Sequence, residues 1–200
     1  MEAIEVSGLT KTYDGRNVVD GLTLTVHEGE LFALLGVNGA GKTTTIRMLT
    51  GLTAPDGGDA RICGHSIRTQ LPLVKCAVGI CPQETAVAKK LTVRENVTLM
   101  ARLYGQGKGE AARSADALIG EFGLSEVAEK RAGKLSGGWQ RRLSIAMAMA
   151  GRPKVLFLDE PTVGLDVLAR RALWELIRGA LRHMTIVLTT HSMEEAEALA

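Results

Sequence analysis

The sequence predicts an α/β fold interrupted by a helical insert, and three observations carry that prediction. Short apolar runs at 31–35 ("LFALL"), 155–158 ("VLFL") and 185–188 ("TIVL") have the length of strands buried in a sheet. Helical patterns follow these runs after turns, the β/α alternation of a layered sheet. From about Thr92 to Ala150 the alternation gives way to helical patterning alone.

The elements follow in order. Ile4 and Val6 alternate with polar residues, Asp14-Gly15 is a hairpin turn signal, and Leu22, Leu24 and Val26 recur at period two. The first third therefore reads as an antiparallel β unit. "LFALL" reads as a strand covered on both faces, running into a glycine-rich turn and a helix, "KTTTIRMLTGL", stopped by Gly51. "PDGGDARICG" is a turn and a short strand, and "CAVGI" (76–80) is a further strand. Thr92 and Glu95 form a capping box before "VRENVTLMARLYG". A second amphipathic run extends through Phe122, and "LSIAMAMA" (143–150) is nearly all apolar, hence core. Beyond Pro153 come a buried strand, the helix "VLARRALWELIRGAL", the strand "TIVLTT" and a last helical pattern.

Composition narrows the class. Of 200 residues, 46% are apolar but only 4% aromatic, so the core is built from aliphatic residues and methionine. The formal charge of +2 gives no nucleic-acid footprint. Cys63, Cys76 and Cys81 are odd in number and lack metal-ligand spacing, so they read as reduced core or near-core thiols. There is no signal-peptide pattern at the N-terminus and no apolar run long enough to span a membrane, so a soluble chain is expected, with any membrane role exercised through a partner. The final helical pattern ends without a stop signal, and a further C-terminal part is expected.

Three stretches carry chemistry. Gly36-Val37-Asn38-Gly39-Ala40-Gly41-Lys42-Thr43 fits G-x-x-x-x-G-K-[ST], between a strand and a helix. In such a P-loop, glycines let the backbone wrap phosphates and its N–H groups point at the anion. Lys42 reaches the β- and γ-phosphates, and the Thr43 hydroxyl can ligate Mg²⁺. Asp159 and Glu160 end the strand "VLFLDE", where α/β folds place their ligand sites. Strand alternation aims the two carboxylates apart, so Asp159 is assigned to Mg²⁺ and Glu160 to the attacking water as general base. A third stretch, "KLSGGWQRRL" (134–143), sets two glycines at the start of a helix, where free N–H groups suit an anion.

Taken in order, "GVNGAGKT", "LSGG", "VLFLDEP", "GLD" and "TTH" resemble the ATP-binding subunit of ABC transporters across essentially the whole chain. The wording "LSGGWQRRLSIAMA" and "TVGLDVLARR" is most similar to the bacterial export-type subgroup serving drug, polysaccharide or lipid-like substrates. The resemblance implies a RecA-like P-loop NTPase core with an N-terminal antiparallel β subdomain and an inserted α-helical subdomain. Residues 1–200 would form one ABC domain, with about 1–83 and 151–200 as core and β subdomain and about 84–150 as the helical subdomain. It implies an ATPase using ATP and Mg²⁺, working as a homodimer or with a paired ABC subunit. Its partners would be integral membrane permease subunits, at the cytoplasmic face of the inner membrane.

The resemblance also assigns residues. Tyr13 stacks on adenine with Val18 beside it. Nucleotide contact extends along the P-loop through Thr44, where serine is common. Gln83 reaches Mg²⁺ or the water, and the loop after it contacts the permease. Ser136, Gly137 and Gly138 bind the γ-phosphate held by a second, head-to-tail copy. Asp166 lies at the loop communicating across that dimer, and His191 touches the γ-phosphate and orients the water. Trp139 departs from the family's usual glutamine, which leaves the ribose-side contact in doubt. His27, His65 and His183 read as surface or loop residues. Repair and chromosome ATPases of the same superfamily carry coiled-coil or zinc insertions before the signature, ribosome-acting ones carry two cassettes, and a GTPase would carry N-K-x-D. None of these is present.

Overall fold

The computed structural model describes residues 1–181 and 184–199. His183 lies outside the described residues. Strands β1 (Glu2–Tyr13) and β2 (Arg16–His27) form a long antiparallel hairpin, with Asp14 and Gly15 both at positive φ (48° and 75°) as its two-residue turn requires. With β4 (Gly57–Ile62) and β5 (His65–Ser66) they make an antiparallel sheet of order β2-β1-β4-β5. The second sheet is parallel, of order β3-β8-β7-β6, from β3 (Leu31–Leu35), β6 (Val78–Cys81), β7 (Val155–Asp159) and β8 (Thr185–Thr190).

Seven α-helices of the described residues surround the sheets: α1 (Lys42–Leu49), α2 (Leu71–Ala77), α3 (Val93–Leu103), α4 (Lys108–Glu121), α5 (Gly137–Met149), α6 (Val167–Leu181) and α7 (Met193–Leu199). The capping box forms as expected: Thr92 Oγ1 accepts from Glu95 N at 3.1 Å, and Thr92 N donates to Glu95 Oε2 at 2.7 Å. Helix α1 runs to Leu49, with Gly51 at φ 69° just beyond it.

The parallel sheet separates two cores by strand alternation. Val155, Phe157 and Val187 face α1, α2 and the antiparallel sheet, packing with Ile4, Val6, Leu9 and Ile46. Leu156, Leu158, Ile186 and Leu188 face the other way, onto α3 to α6, where Val97, Phe122, Leu143 and Leu173 are buried. The helical insert therefore shares its core with the back of the sheet. Truncating Phe157 to alanine would cost about 3–5 kcal/mol by the usual transfer and cavity terms.

Four expectations need correction. β3 is only half-buried and Leu35 is exposed, because it is an edge strand; the strands buried along their whole length are β7 and β8. The strand placed at 76–80 begins two residues later, since Cys76 and Ala77 complete α2. Of the cysteines, Cys81 is buried and Cys63 half-buried, but Cys76 is exposed rather than near-core. His65 is half-buried on β5, not a loop residue, while His27 is exposed at the end of β2.

Candidate nucleotide site

The four parallel strands point their C-terminal ends at one region, and each delivers a candidate residue there. β3 runs into Gly36, β6 into Pro82 and Gln83, β7 into Asp159 and Glu160, and β8 into His191. Parallel register aligns them: Leu35 pairs with Thr190, and Asp159 with Thr189. A hydrogen bond from Gly36 N to Thr190 O (3.2 Å) ties the P-loop to β8.

The P-loop closes back on itself. Lys42 Nζ donates to the carbonyls of Gly36 (2.7 Å) and Val37 (3.1 Å) and lies 3.3 Å from Glu160 Oε1. Gly39 and Gly41 take φ of 85° and 83°. At Gly41 the backbone also passes against β2: a Cβ would overlap the carbonyl oxygen of Val18 and approach Val19 Cγ2 to 3.1 Å. Helix α1 follows Gly41 with no side-chain cap and no acidic residue in its first turn, so no side chain of its own first turn occupies its N–H groups. Val18, Asn38 to Thr44, Gln83 and Glu160 line a cleft of about 260 Å³. Beside it, Leu35, Gly36, Val37, Asn38, His191 and Met193 line a second cavity of about 380 Å³.

The two acids serve different partners, as expected, but not by strand alternation. Asp159 ends β7 with Oδ1 3.1 Å from Thr43 Oγ1 and 2.6 Å from Thr189 Oγ1, both hydroxyls donating. Glu160 leaves the strand with φ 48°, a left-handed conformation held by its N–H, which donates to Thr189 Oγ1 (3.0 Å) and Thr189 O (3.2 Å). That turn brings the Glu160 carboxylate into the cleft, 6% exposed, with Oε1 toward Lys42 and Oε2 2.6 Å from His191 Nδ1. Thr43 Oγ1 and Asp159 Oδ1, with Gln83 lining the cleft that Thr43 also lines, are neutral and anionic oxygen donors suited to a small hard cation.

Other candidates lie outside the cleft. Tyr13 is exposed, and Lys11 Nζ sits 5.3 Å from its ring centroid, held by Asp56 Oδ1 (2.9 Å) and Ala54 O (3.0 Å). The Thr12 N–H and the Lys11 ammonium hold the Asp56 carboxyl below its ordinary range. Ser136 begins α5 without capping it, and neither it nor Gly137 or Gly138 lines the cleft. Asp166 caps α6, accepting from Ala169 N at 2.8 Å. Trp139, which has no account in the sequence, packs half-buried against the helical core with the Arg142 guanidinium 5.1 Å from its ring.

Two residues escaped the sequence reading. Thr189 is fully buried and bridges Asp159 and Glu160; a threonine pair closing an apolar strand was its signal. Arg141 is 4% exposed and donates to four backbone carbonyls around the site. Its signal was an arginine at helical spacing with Ser144, Ile145 and Ala148, all buried.

Comparison with known proteins agrees with this geometry. The sequence profile of the ABC transporter family matches residues 19–163. The chain is 46% identical over 198 residues to Nod factor export ATP-binding protein I of Paraburkholderia xenovorans (strain LB400), covering 98% of this chain and 65% of that protein. It is 48% identical over 201 residues to the retinal-specific phospholipid-transporting ATPase ABCA4 of Bos taurus, covering 99% of this chain but 9% of that one. It thus spans about two-thirds of the first relative and a small part of the second. Among solved structures it is similar to cbiO1 from Clostridium perfringens, part of the ABC transporter complex cbiONQ, with TM-score 0.91 at 26% identity over 100% of this chain and 82% of that one. With the P-loop, the strand-end acids and the histidine assembled on a parallel sheet as described, the chain belongs to the ABC transporter family.

Proposed function

We propose that the chain hydrolyses ATP with Mg²⁺ as half of a head-to-tail dimer and so drives export through separate membrane permease subunits, at the cytoplasmic face of the membrane. The observation that carries the reading is the convergence of Lys42, Thr43, Asp159, Glu160 and His191 from three strand ends. Residues 1–83 and 151–200 act as core and β subdomain, and 84–150 as the helical subdomain. The similarity to the Nod factor export protein supports export. The similarity to cbiO1, part of the ABC transporter complex cbiONQ, supports work within a larger transporter complex.

In this reading the N–H groups of 37–44 and the Lys42 ammonium bind the phosphates, and Tyr13 stacks on adenine beside Val18. Thr43, Asp159 and Gln83 hold Mg²⁺, which when bound neutralises charge on the β- and γ-oxygens. Glu160 accepts a proton from the water as its oxygen bonds to the γ-phosphorus and the bond to the β–γ bridging oxygen breaks, releasing ADP and phosphate; His191, bonded to Glu160 Oε2, aims that carboxylate and contacts the γ-phosphate. Ser136 to Gly138 reach the γ-phosphate of the second copy, since they lie outside the cleft of their own chain, and Asp166 communicates across the dimer.

Phosphate release and gel filtration test this. Glu160→Gln is expected to abolish turnover, keep ATP binding and run as a dimer with ATP. Hydrolysis near the wild-type rate would remove the base assignment, and a chain monomeric under all ATP conditions would remove the dimer.

A further inference from the structure

The buried Arg141 side chain joins three segments that the catalytic reading keeps separate. From α5, one turn past Ser136, its Nε donates to Pro161 O (2.8 Å) and Nη2 to Asp159 O (2.8 Å). Nη1 donates to Pro82 O (2.5 Å) and Gln83 O (3.2 Å). Among the described residues Arg141 makes no ion pair, so its charge is met by carbonyl dipoles alone. A planar fork of five N–H donors can bridge such a set; a single ammonium cannot.

Two features make these carbonyls more than packing. Asp159 and Pro161 flank Glu160, whose φ of 48° is unfavourable for a residue with a Cβ and persists only where its surroundings enforce it. Pro82 and Gln83 form the base of a loop, and Gln83 itself lines the cleft. Farther along, that loop is bonded to the segment before Ser136, through Ala132 N to Leu91 O (2.8 Å) and Gly133 N to Lys89 O (3.0 Å). The stretch from Pro82 to Leu91 is therefore fastened at one end to the signature helix and at the other to the turn leading into it.

We infer that Arg141 is a positioning residue for hydrolysis: by gripping the backbone on both sides of Glu160 and at Gln83, it fixes the general base and the glutamine relative to each other and to the signature helix. The inference rests on the roles proposed above for Glu160 and Gln83. It assigns no contact with nucleotide to Arg141 itself.

The test compares Arg141→Lys and Arg141→Met, alone and combined with Glu160→Gln, in the full chain. Expected are a fall in kcat of at least tenfold for both single variants and affinity for a fluorescent ATP analogue within about twofold of the original. Combined with Glu160→Gln, which is expected to leave no turnover to compare, the Arg141 variants should keep analogue affinity within about twofold of that of Glu160→Gln alone, because the side chain touches no nucleotide. Arg141→Lys keeps the charge and guards against a folding failure in Arg141→Met. Normal kcat in Arg141→Lys overturns the role, as do equal losses of affinity and kcat in the single variants. Glu160→Gln alone tests the underlying reading: wild-type turnover there removes the base, and this role with it.

Discussion

Glu160 sits between two nitrogens, with Oε2 2.6 Å from His191 Nδ1 and Oε1 3.3 Å from Lys42 Nζ. The pairing links β7 to β8 and the P-loop to both. Glu160 is buried while His191 is half exposed, so the ring approaches the carboxylate from the open side of the site. Removing the ring leaves the carboxylate in place but held only through Lys42 at its other oxygen. His191→Ala should therefore lower kcat by roughly 10² or more, within the range of positioned acid–base groups, while equilibrium ATP binding changes little. Steady-state phosphate release beside a binding titration checks this; a kcat within a few-fold of the original would remove His191 from the mechanism.

The P-loop glycines differ in what they protect. Gly39 and Gly41 share a left-handed φ, but a Cβ at Gly39 meets open space, whereas at Gly41 it overlaps Val18 O. Gly39→Ala should cost only the conformational strain, about 1–2 kcal/mol. Gly41→Ala adds a backbone clash that must push the loop off β2. It should lower ATP affinity more than tenfold, against a smaller loss for Gly39→Ala. Equal binding by both variants would show that the contact with β2 does not shape the loop.

What could be read from the sequence depended on how local its cause was. Asp14-Gly15, the Thr92–Glu95 capping box and the β/α order follow from residues adjacent in the chain, and the structure has all three. The exposure of β3 was hidden because five apolar residues in a row look alike at the edge and the centre of a sheet; only the order β3-β8-β7-β6 distinguishes them. The separation of Asp159 from Glu160 was right in outcome and wrong in cause, since alternation stops where the strand does and a positive φ at Glu160 does the work. Arg141 and Thr189 were hard to see as site residues because their partners are distant in the chain: Arg141 donates to backbone carbonyls up to 59 positions away, and Thr189 bridges the Asp159 carboxylate and the Glu160 N–H, 30 and 29 positions back.

Ser136 lies at the start of α5 with no intrachain capping bond, and the cleft of its own chain excludes it. If its partner is the γ-phosphate on a second copy, Ser136→Arg blocks the composite site and leaves the monomer's P-loop intact. Ser136→Arg should bind ATP normally but fail to hydrolyse it. Mixed with Lys42→Ala, which spoils the other half, it should recover at most one working site per dimer. Normal hydrolysis by Ser136→Arg alone would end the in-trans reading.

Trp139 is where the signature departs most from its family, and its surroundings give it a packing role. The indole is half-buried against the helical core, and the Arg142 guanidinium lies over its ring at 5.1 Å. A cation over an aromatic ring contributes about 0.5–1 kcal/mol at such sites, and truncating a partly buried aromatic adds the lost apolar burial. Trp139→Ala should therefore destabilise the domain by roughly 2 kcal/mol in urea unfolding, with ATP affinity of the monomer unchanged. Trp139→Gln, the usual family residue, should lose about as much, because an amide replaces neither the ring area nor the cation contact. Unchanged stability in both, with an altered turnover rate, would instead place the indole at the nucleotide of the second copy.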